Sequence, residues 1–246
     1  MPCYNHAATL ALIVSEIREL GYDVLVVNDG SNDGTVQVME QLEVETKDYE
    51  SRLYLISYPE NRGKGYAIYL AIKKLNELGY RYGLSLDADG QHSVKDILSF
   101  TQDINMHDNA LYIGYRGMNH INMPGKNSFA NRFSNFWFMV QTGQFLPDTQ
   151  SGFRLYPVHI ISKMHFLTTR YEWELEVLVR AAWAQLPLVS KPISVYYPPK
   201  NERISHFRPV IDFLRISLLN TMLCFGALLY FYPLSLFRFL FCKSNR

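Results

Sequence analysis

Two carboxylates one residue apart, Asp87 and Asp89, close the apolar run Leu84-Ser85-Leu86, and Gly90 and Gln91 follow them. A strand turns alternate side chains to one face, so both carboxylates can point the same way where the strand ends. Their hard oxygens, with the Gln91 amide as a third ligand, suit Mg²⁺ or Mn²⁺ rather than zinc, and such a metal most often faces phosphate. Asp and Gly also build ordinary turns, so the pair alone does not decide. Further polar clusters follow strand-like runs: Asn28-Asp29-Gly30-Ser31-Asn32-Asp33-Gly34-Thr35, Asn61-Arg62-Gly63-Lys64-Gly65 and Tyr115-Arg116. Gly63 and Gly65 leave room for a ligand to approach a helix start, where free N–H groups favour anions. Neither a Walker A spacing nor a Gly-x-Gly-x-x-Gly after a strand is present, which argues against a P-loop and against NAD.

The elements that must position these clusters alternate. Asn5 reads as the N-cap of a helix to about Leu20, with Leu10, Ile13, Val14, Ile17 and Leu20 on one face. A buried strand over Asp23–Val27 leads to a helix ending near Glu43. A strand over Leu53–Ser57 leads to an amphipathic helix through Leu78. Tyr82–Leu86 is a third strand, and Ser93 with Asp96 forms a weak capping box for the next helix. Leu111–Gly114 is a fourth strand. This order predicts an α/β domain with a mostly parallel, doubly wound sheet. Ligands bind such sheets beyond the carboxyl ends of the strands, where all the polar clusters fall, so together they read as one nucleotide-sized site.

The chain has 246 residues, apolar enough for a full core, and a formal net charge of +1, which gives no global field for nucleic acid. Cys3, Cys224 and Cys242 have neither metal nor redox spacing, so a reducing cytoplasmic setting is expected. Met1 leads straight into Pro2-Cys3-Tyr4-Asn5, and no signal peptide is read.

Tyr4-Asn5, the segments 28–35, 61–65 and 87–91, and Asp148-Thr149-Gln150-Ser151-Gly152-Phe153-Arg154 occur in an order and spacing that resembles glycosyltransferase family 2 and its GT-A fold. The resemblance covers residues 2 to about 209 and is nearest to the branch of dolichol-phosphate mannose synthase and related polyprenyl-phosphate glycosyltransferases. It implies that Pro2, Tyr4, Asn5, Asp29, Ser31, Lys64, Gly65, Asp87 and Ala88 hold the nucleotide-sugar, with Asp29 on the base. It implies that Asp87, Asp89 and Gln91 hold the metal on the donor diphosphate. In that family an apolar strand precedes Pro-x-Tyr-Asn, so Met1 is expected to lie inside a central strand, with several residues missing ahead of it. His6 stands where the branch often has Glu.

Residues 117–147 break the alternation, with Met118–Lys126 read as a loop and a helix expected over Ser128–Thr142. Phe129, Phe133, Phe136, Trp137 and Val140 form a stripe that reads mostly as core. Arg116, Lys126 and Arg132 flank it and suit an acceptor with a phosphate head and an apolar tail. A strand is expected over Phe153–Tyr156, a helix from Tyr171 to about Ala184, and a last strand over Val189–Tyr197. Glu172 serves the helix dipole. Glu174 and Glu176 lie where inverting members of the family keep a base for hydroxyl acceptors. Arg203 and His206 lie in the loop that, in the family, closes over the diphosphate. From Ile216 to Phe237 no residue is charged, enough for a helical crossing of a bilayer, and Arg215, Arg238, Lys243 and Arg246 flank it. A helix lying in the interface is the rival, because Pro233 can break the segment.

The expectation is therefore a GT-A domain over residues 1–209, with a donor half to about residue 116 and an acceptor half beyond it. A membrane-associated tail follows over 210–246. The activity expected is inverting, metal-dependent transfer from a nucleotide-sugar to a lipid acceptor, a polyprenyl phosphate, at the cytoplasmic membrane face. The alternatives are a lipid or glycan hydroxyl acceptor with Glu174 as base, or a nucleotidyltransferase. The latter needs a glycine-rich, Arg-containing loop near the N-terminus, which is absent. A membrane-tethered binding protein is the non-enzyme reading, and the intact carboxylate pair argues against it.

Overall fold

The computed structural model describes residues 1–45, 49–102, 104, 106, 108–117, 125–196 and 208–241. β2 (Val24–Asp29) is buried along its whole length, which is why its sequence is apolar on both faces until it reaches Asn28 and Asp29. β1 (Pro2–Cys3) and β3 (Leu53–Tyr58) flank it in parallel. A second sheet runs in the order β4 (Tyr82–Ser85), β6 (Arg154–Pro157), β5 (Leu111–Arg116), β7 (Leu188–Ile193). β5 and β7 are parallel, but β6 is antiparallel to both β4 and β5. The chain re-enters the sheet from the carboxyl edge, where Gly152 abuts Asp87, so β6 can only run back down.

α1 (Ala7–Glu19), α2 (Thr35–Glu45), α3 (Lys64–Glu77) and α4 (Asp96–Gln102) connect the strands of the first half. α5 (Gly125–Thr142), α6 (Val158–Ile161) and α7 (Trp173–Trp183) build the second. α8 (Pro209–Gly226), a π-helical segment (Ala227–Phe231) and α9 (Tyr232–Phe241) follow. Leu10, Ile13, Val14 and Ile17 are buried on α1, as the periodicity predicts. Leu219 and Leu223 of α8 join the core formed by α3, α6 and α7, so the tail expected from residue 210 begins as part of the domain.

Local expectations at helix starts are corrected. His6, not Asn5, occupies the cap position of α1 and makes no side-chain capping bond. Asn5 instead has φ 58°, a left-handed turn that Asn tolerates, and its Oδ1 accepts the Asn32 N–H. Ser93 and Asp96 form no capping box. Asp96 N–H bonds the Ser93 carbonyl, and Asp96 Oδ2 accepts the Ser194 N–H, tying α4 to the end of β7. α5 begins at Gly125 rather than Ser128.

Both sheets stop at one gap. β1 ends the first and β4 ends the second, and among the described residues no strand lies between them. Behind β1 the gap is an apolar cavity of about 410 Å³, lined by Met1, Val24, Leu25, Tyr82 and Leu84 among others. The Met1 ammonium is buried there and donates to the Leu25 carbonyl at 2.7 Å. Desolvation pushes its pKa down to about 6. The cavity reaches the amino end of β2 and runs along β4 from Tyr82 to Ser85.

Candidate active site

At the carboxyl ends of the strands the polar loops converge. Lys64, first residue of α3, reaches between two carboxylates. Its Nζ lies 2.7 Å from Asp87 Oδ1 and 3.1 Å from Glu174 Oε1. Asp87 comes from the end of β4, and Glu174, 7% exposed, from the first turn of α7. Burial alone would raise the Asp87 carboxyl; Lys64 and His92 overcome it and hold Asp87 well below the usual carboxylate range. Burial would likewise lower the Lys64 ammonium, but Asp87 and Glu174 raise it well above its ordinary value. Asp89 moves the other way, raised by burial and by the negative charge of Asp87. Asp87 is low because Lys64 and His92 hold its charge, and that charge in turn adds to the burial that raises Asp89. The close packing has a backbone cause: a Cβ on Gly152 would lie 2.7 Å from Lys64 Nζ and 2.9 Å from Asp87 Oδ2.

Asp89 Oδ1 accepts the Gln91 N–H at 3.0 Å, which folds Gln91 back beside the pair. The Gln91 carbonyl accepts the Tyr196 N–H. Among the described residues no three His, Cys, Asp or Glu side chains cluster as a metal cage. By their chemistry Asp87, Asp89 and the Gln91 amide would form an oxygen-donor set, which fits Mg²⁺ or Mn²⁺. Ala88, buried between them, accepts a hydrogen bond from Thr9 Oγ1 through its carbonyl.

The donor-side loops are tied to one another. Asn5 N–H donates to Ser31 Oγ at 2.9 Å, and Ser31 N–H donates to Asn28 Oδ1. Pro2 pairs with Val27, which places Tyr4 and Asn5 beside the 28–35 loop. Asp29, 3% exposed, accepts the Arg62 N–H at 2.7 Å and the Gly63 N–H at 2.9 Å. Burial raises its carboxyl against the pull of these bonds. Asp29 thus fastens the 61–63 loop as well as bordering the site. Gly63 and Gly65 are used differently from the sequence reading. A Cβ on Gly63 would lie 2.5 Å from Arg170 Cγ, and one on Gly65 would lie 2.2 Å from Trp173 Cβ. Their missing side chains let α3 pack against the 169–173 segment, which fills the space assigned to a ligand.

Arg116, expected on the acceptor side, forks onto the buried Asp148, Nε to Oδ2 at 2.7 Å and Nη2 to Oδ1 at 3.0 Å. Arg132 is exposed on α5. Lys126 is in the first turn of α5, and its side chain, like Arg203 and His206, lies outside the described residues. Glu176 is not at the site: fully buried, it accepts from Leu167 N–H, Thr168 N–H and Thr168 Oγ1 and pairs with Arg180 at 2.6 Å.

Sequence reasoning missed three supports. Arg154, fully buried, donates to the carbonyls of Thr149, Ser151 and Glu174, locking the 148–154 loop to the start of α7. Arg170 Nη1 donates to Asn61 Oδ1 at 3.0 Å. His92 Nε2 stands 3.9 Å from Asp87 Oδ2, with its ring on Phe153. For Arg154 the signal was its place at the end of the 148–154 motif; Arg170 carried none.

A strand-end carboxylate pair braced by a lysine, on two α/β sheets whose strands are parallel apart from β6, fits the GT-A class of glycosyltransferases. The chain belongs to glycosyl transferase family 2, whose family model matches residues 1–164. It is 29% identical over 211 residues to a UDP-N-acetylglucosamine–dolichyl-phosphate N-acetylglucosaminyltransferase of Methanococcus voltae, covering 80% of this chain and 84% of the relative. It is 26% identical over 241 residues to a dolichyl-phosphate beta-glucosyltransferase of Trichomonas vaginalis, covering 88% and 71%. Its fold matches a Mycobacterium tuberculosis glucosyl-3-phosphoglycerate synthase, solved with Mn²⁺, uridine diphosphate and phosphoglyceric acid. That match has a TM-score of 0.63 at 14% identity and covers 92% of this chain and 76% of the other.

Proposed function

We propose that the protein moves a sugar from a UDP- or GDP-sugar to a polyprenyl phosphate, with inversion at the anomeric carbon, at the cytoplasmic face of a membrane. The observation that carries this reading is the similarity to relatives whose names specify dolichyl phosphate as acceptor. An acceptor phosphate oxygen attacks the anomeric carbon. The new C–O bond forms on one face while the bond to the donor diphosphate breaks on the other, and the electron pair leaves with the nucleoside diphosphate. Asp87, Asp89 and Gln91 are the residues that would hold Mg²⁺ or Mn²⁺, which would neutralise charge growing on that diphosphate. Lys64 holds Asp87 and Glu174 in place and sets a fixed cation beside the leaving group. Pro2, Tyr4, Asn5, Asp29 and Ser31 would border the nucleotide, and Arg203 and His206 are the residues assigned to the diphosphate. Arg116, Lys126 and Arg132 meet the acceptor phosphate, which is already anionic and needs orientation more than a base. Most donor contacts come from the half up to about residue 116 and most acceptor contacts from about 117–209, with Arg116 at the border and Arg203 and His206 the exceptions.

The test is Asp89→Asn assayed by transfer of labelled sugar from UDP- and GDP-sugars into the lipid extract of native membranes. Loss of one anionic ligand lowers turnover about 100-fold or more, with the circular dichroism spectrum unchanged. Undiminished transfer in EDTA contradicts the metal assignment.

A further inference from the structure

The apolar helix from Val210 to Leu240 is long enough to cross a bilayer, yet the way it packs points elsewhere. Asp212, Leu219, Asn220, Leu223 and Ala227 are buried along one face. Gln141 Nε2 donates to Asn220 Oδ1 at 2.9 Å, deep in that contact. Gly226 lies against Trp183, where a Cβ would come within 2.7 Å of the indole. The same indole stacks on Phe231 at 5.9 Å and 17°. Tyr232 Oη donates to the Val140 carbonyl at 2.7 Å. The helix is therefore fastened to the catalytic domain from Asp212 to Tyr232. If this stretch stood along the bilayer normal, the irregular loop that leaves α5 at Gly143 would sit in hydrocarbon, where lipid-exposed irregular backbone does not occur. Only α9 extends beyond the contact. Its ten residues span about 15 Å, half of the roughly 30 Å hydrocarbon core.

The outward faces are apolar. Phe213, Leu214, Leu218, Phe225 and Leu229 of the helix are all more than half exposed, as is Phe136 on α5. The charges are one-sided as well. In segments 125–142 and 209–241 the sole acid is Asp212, which is 1% exposed, while Arg132, Arg215 and Arg238 are basic. An apolar surface of this extent rimmed by cations matches the boundary between acyl chains and anionic headgroups. The geometry points to an in-plane anchor: α8, α9 and the exposed side of α5 form one footprint on a single leaflet, and the C-terminus stays on the side of the catalytic domain. The inference rests on reading the tail as a membrane anchor and not on the chemistry. Its test reads no activity, so its failure is separable from failure of the proposed reaction.

The full chain carrying a C-terminal epitope tag is treated with protease in inverted membrane vesicles. The in-plane anchor predicts that tag and catalytic domain are both digested; a tag that survives while the domain is cut overturns it. Co-sedimentation with phosphatidylcholine vesicles containing phosphatidylglycerol supplies the second arm. Phe136→Asp and Leu229→Asp should each weaken binding about tenfold or more, with Phe136→Ser as a milder variant in the same direction and folding checked by circular dichroism. Binding that falls in Leu229→Asp but not in either Phe136 variant removes α5 from the footprint and overturns the proposal.

Discussion

At the scale of single residues, Lys64 is where structure and chemistry meet. It is the cation shared by Asp87 and Glu174, so its removal leaves two carboxylates facing each other with little water. Lys64→Met should cost about 2–4 kcal/mol of stability at neutral pH, the lower end reflecting the partial exposure of Asp87, measured by urea unfolding. The arrangement also bears on the acceptor. A hydroxyl acceptor needs a carboxylate to take its proton, worth about 10²–10⁴-fold, whereas a phosphate acceptor needs a forked cation. On a polyprenyl phosphate acceptor, Arg132→Ala should therefore reduce kcat/KM severely and Glu174→Gln only moderately. A collapse in Glu174→Gln beside a nearly normal Arg132→Ala would favour the hydroxyl acceptor. The carboxylate pair and the residues of each motif were legible in the sequence because strand-end chemistry is local. The partners were not. That Glu174 pairs with Lys64 while Glu176 turns away to Arg180 depends on how α7 lies on α3.

At the scale of elements, the strand–helix alternation carried the first half closely, since each strand is a short apolar run between turn-forming clusters. The second half was less legible. The direction of β6 is set by the edge from which the chain re-enters, and the role of Gly65 by its contact with Trp173 far along the chain. The gap behind β1 yields a stability prediction. An extension of about four apolar residues ahead of Met1, matching the four of β4, would pair with open strand edges, fill the cavity and remove the buried ammonium. Melting temperature should rise about 2–4 °C for each kcal/mol gained. The pH dependence should change with it. The ammonium has a folded pKa near 6 against 8.0 for an ordinary amino terminus. The unfolded chain thus holds more protons between those values, and stability rises as pH goes from about 6 to about 8. The extended protein should lack that slope, and a melting temperature unchanged by the extension would contradict strand insertion.

At the scale of the whole molecule, the chain carries a polar cluster at the strand ends and an exposed apolar face on α5, α8 and α9; the first is proposed for the donor and the second for the membrane. Hydropathy alone marked the tail as apolar; its union with the core through Leu219 and Leu223 came only with the fold. Sugar transfer onto a lipid phosphate can be assayed by incubating the purified protein with Mn²⁺, labelled UDP- and GDP-sugars, and either a polyprenyl phosphate or the matching polyprenol. A labelled polyprenyl-phosphate sugar should form from one of the donors, with no product from the polyprenol. Label on the polyprenol, or no lipid product with any donor, would contradict transfer onto a lipid phosphate.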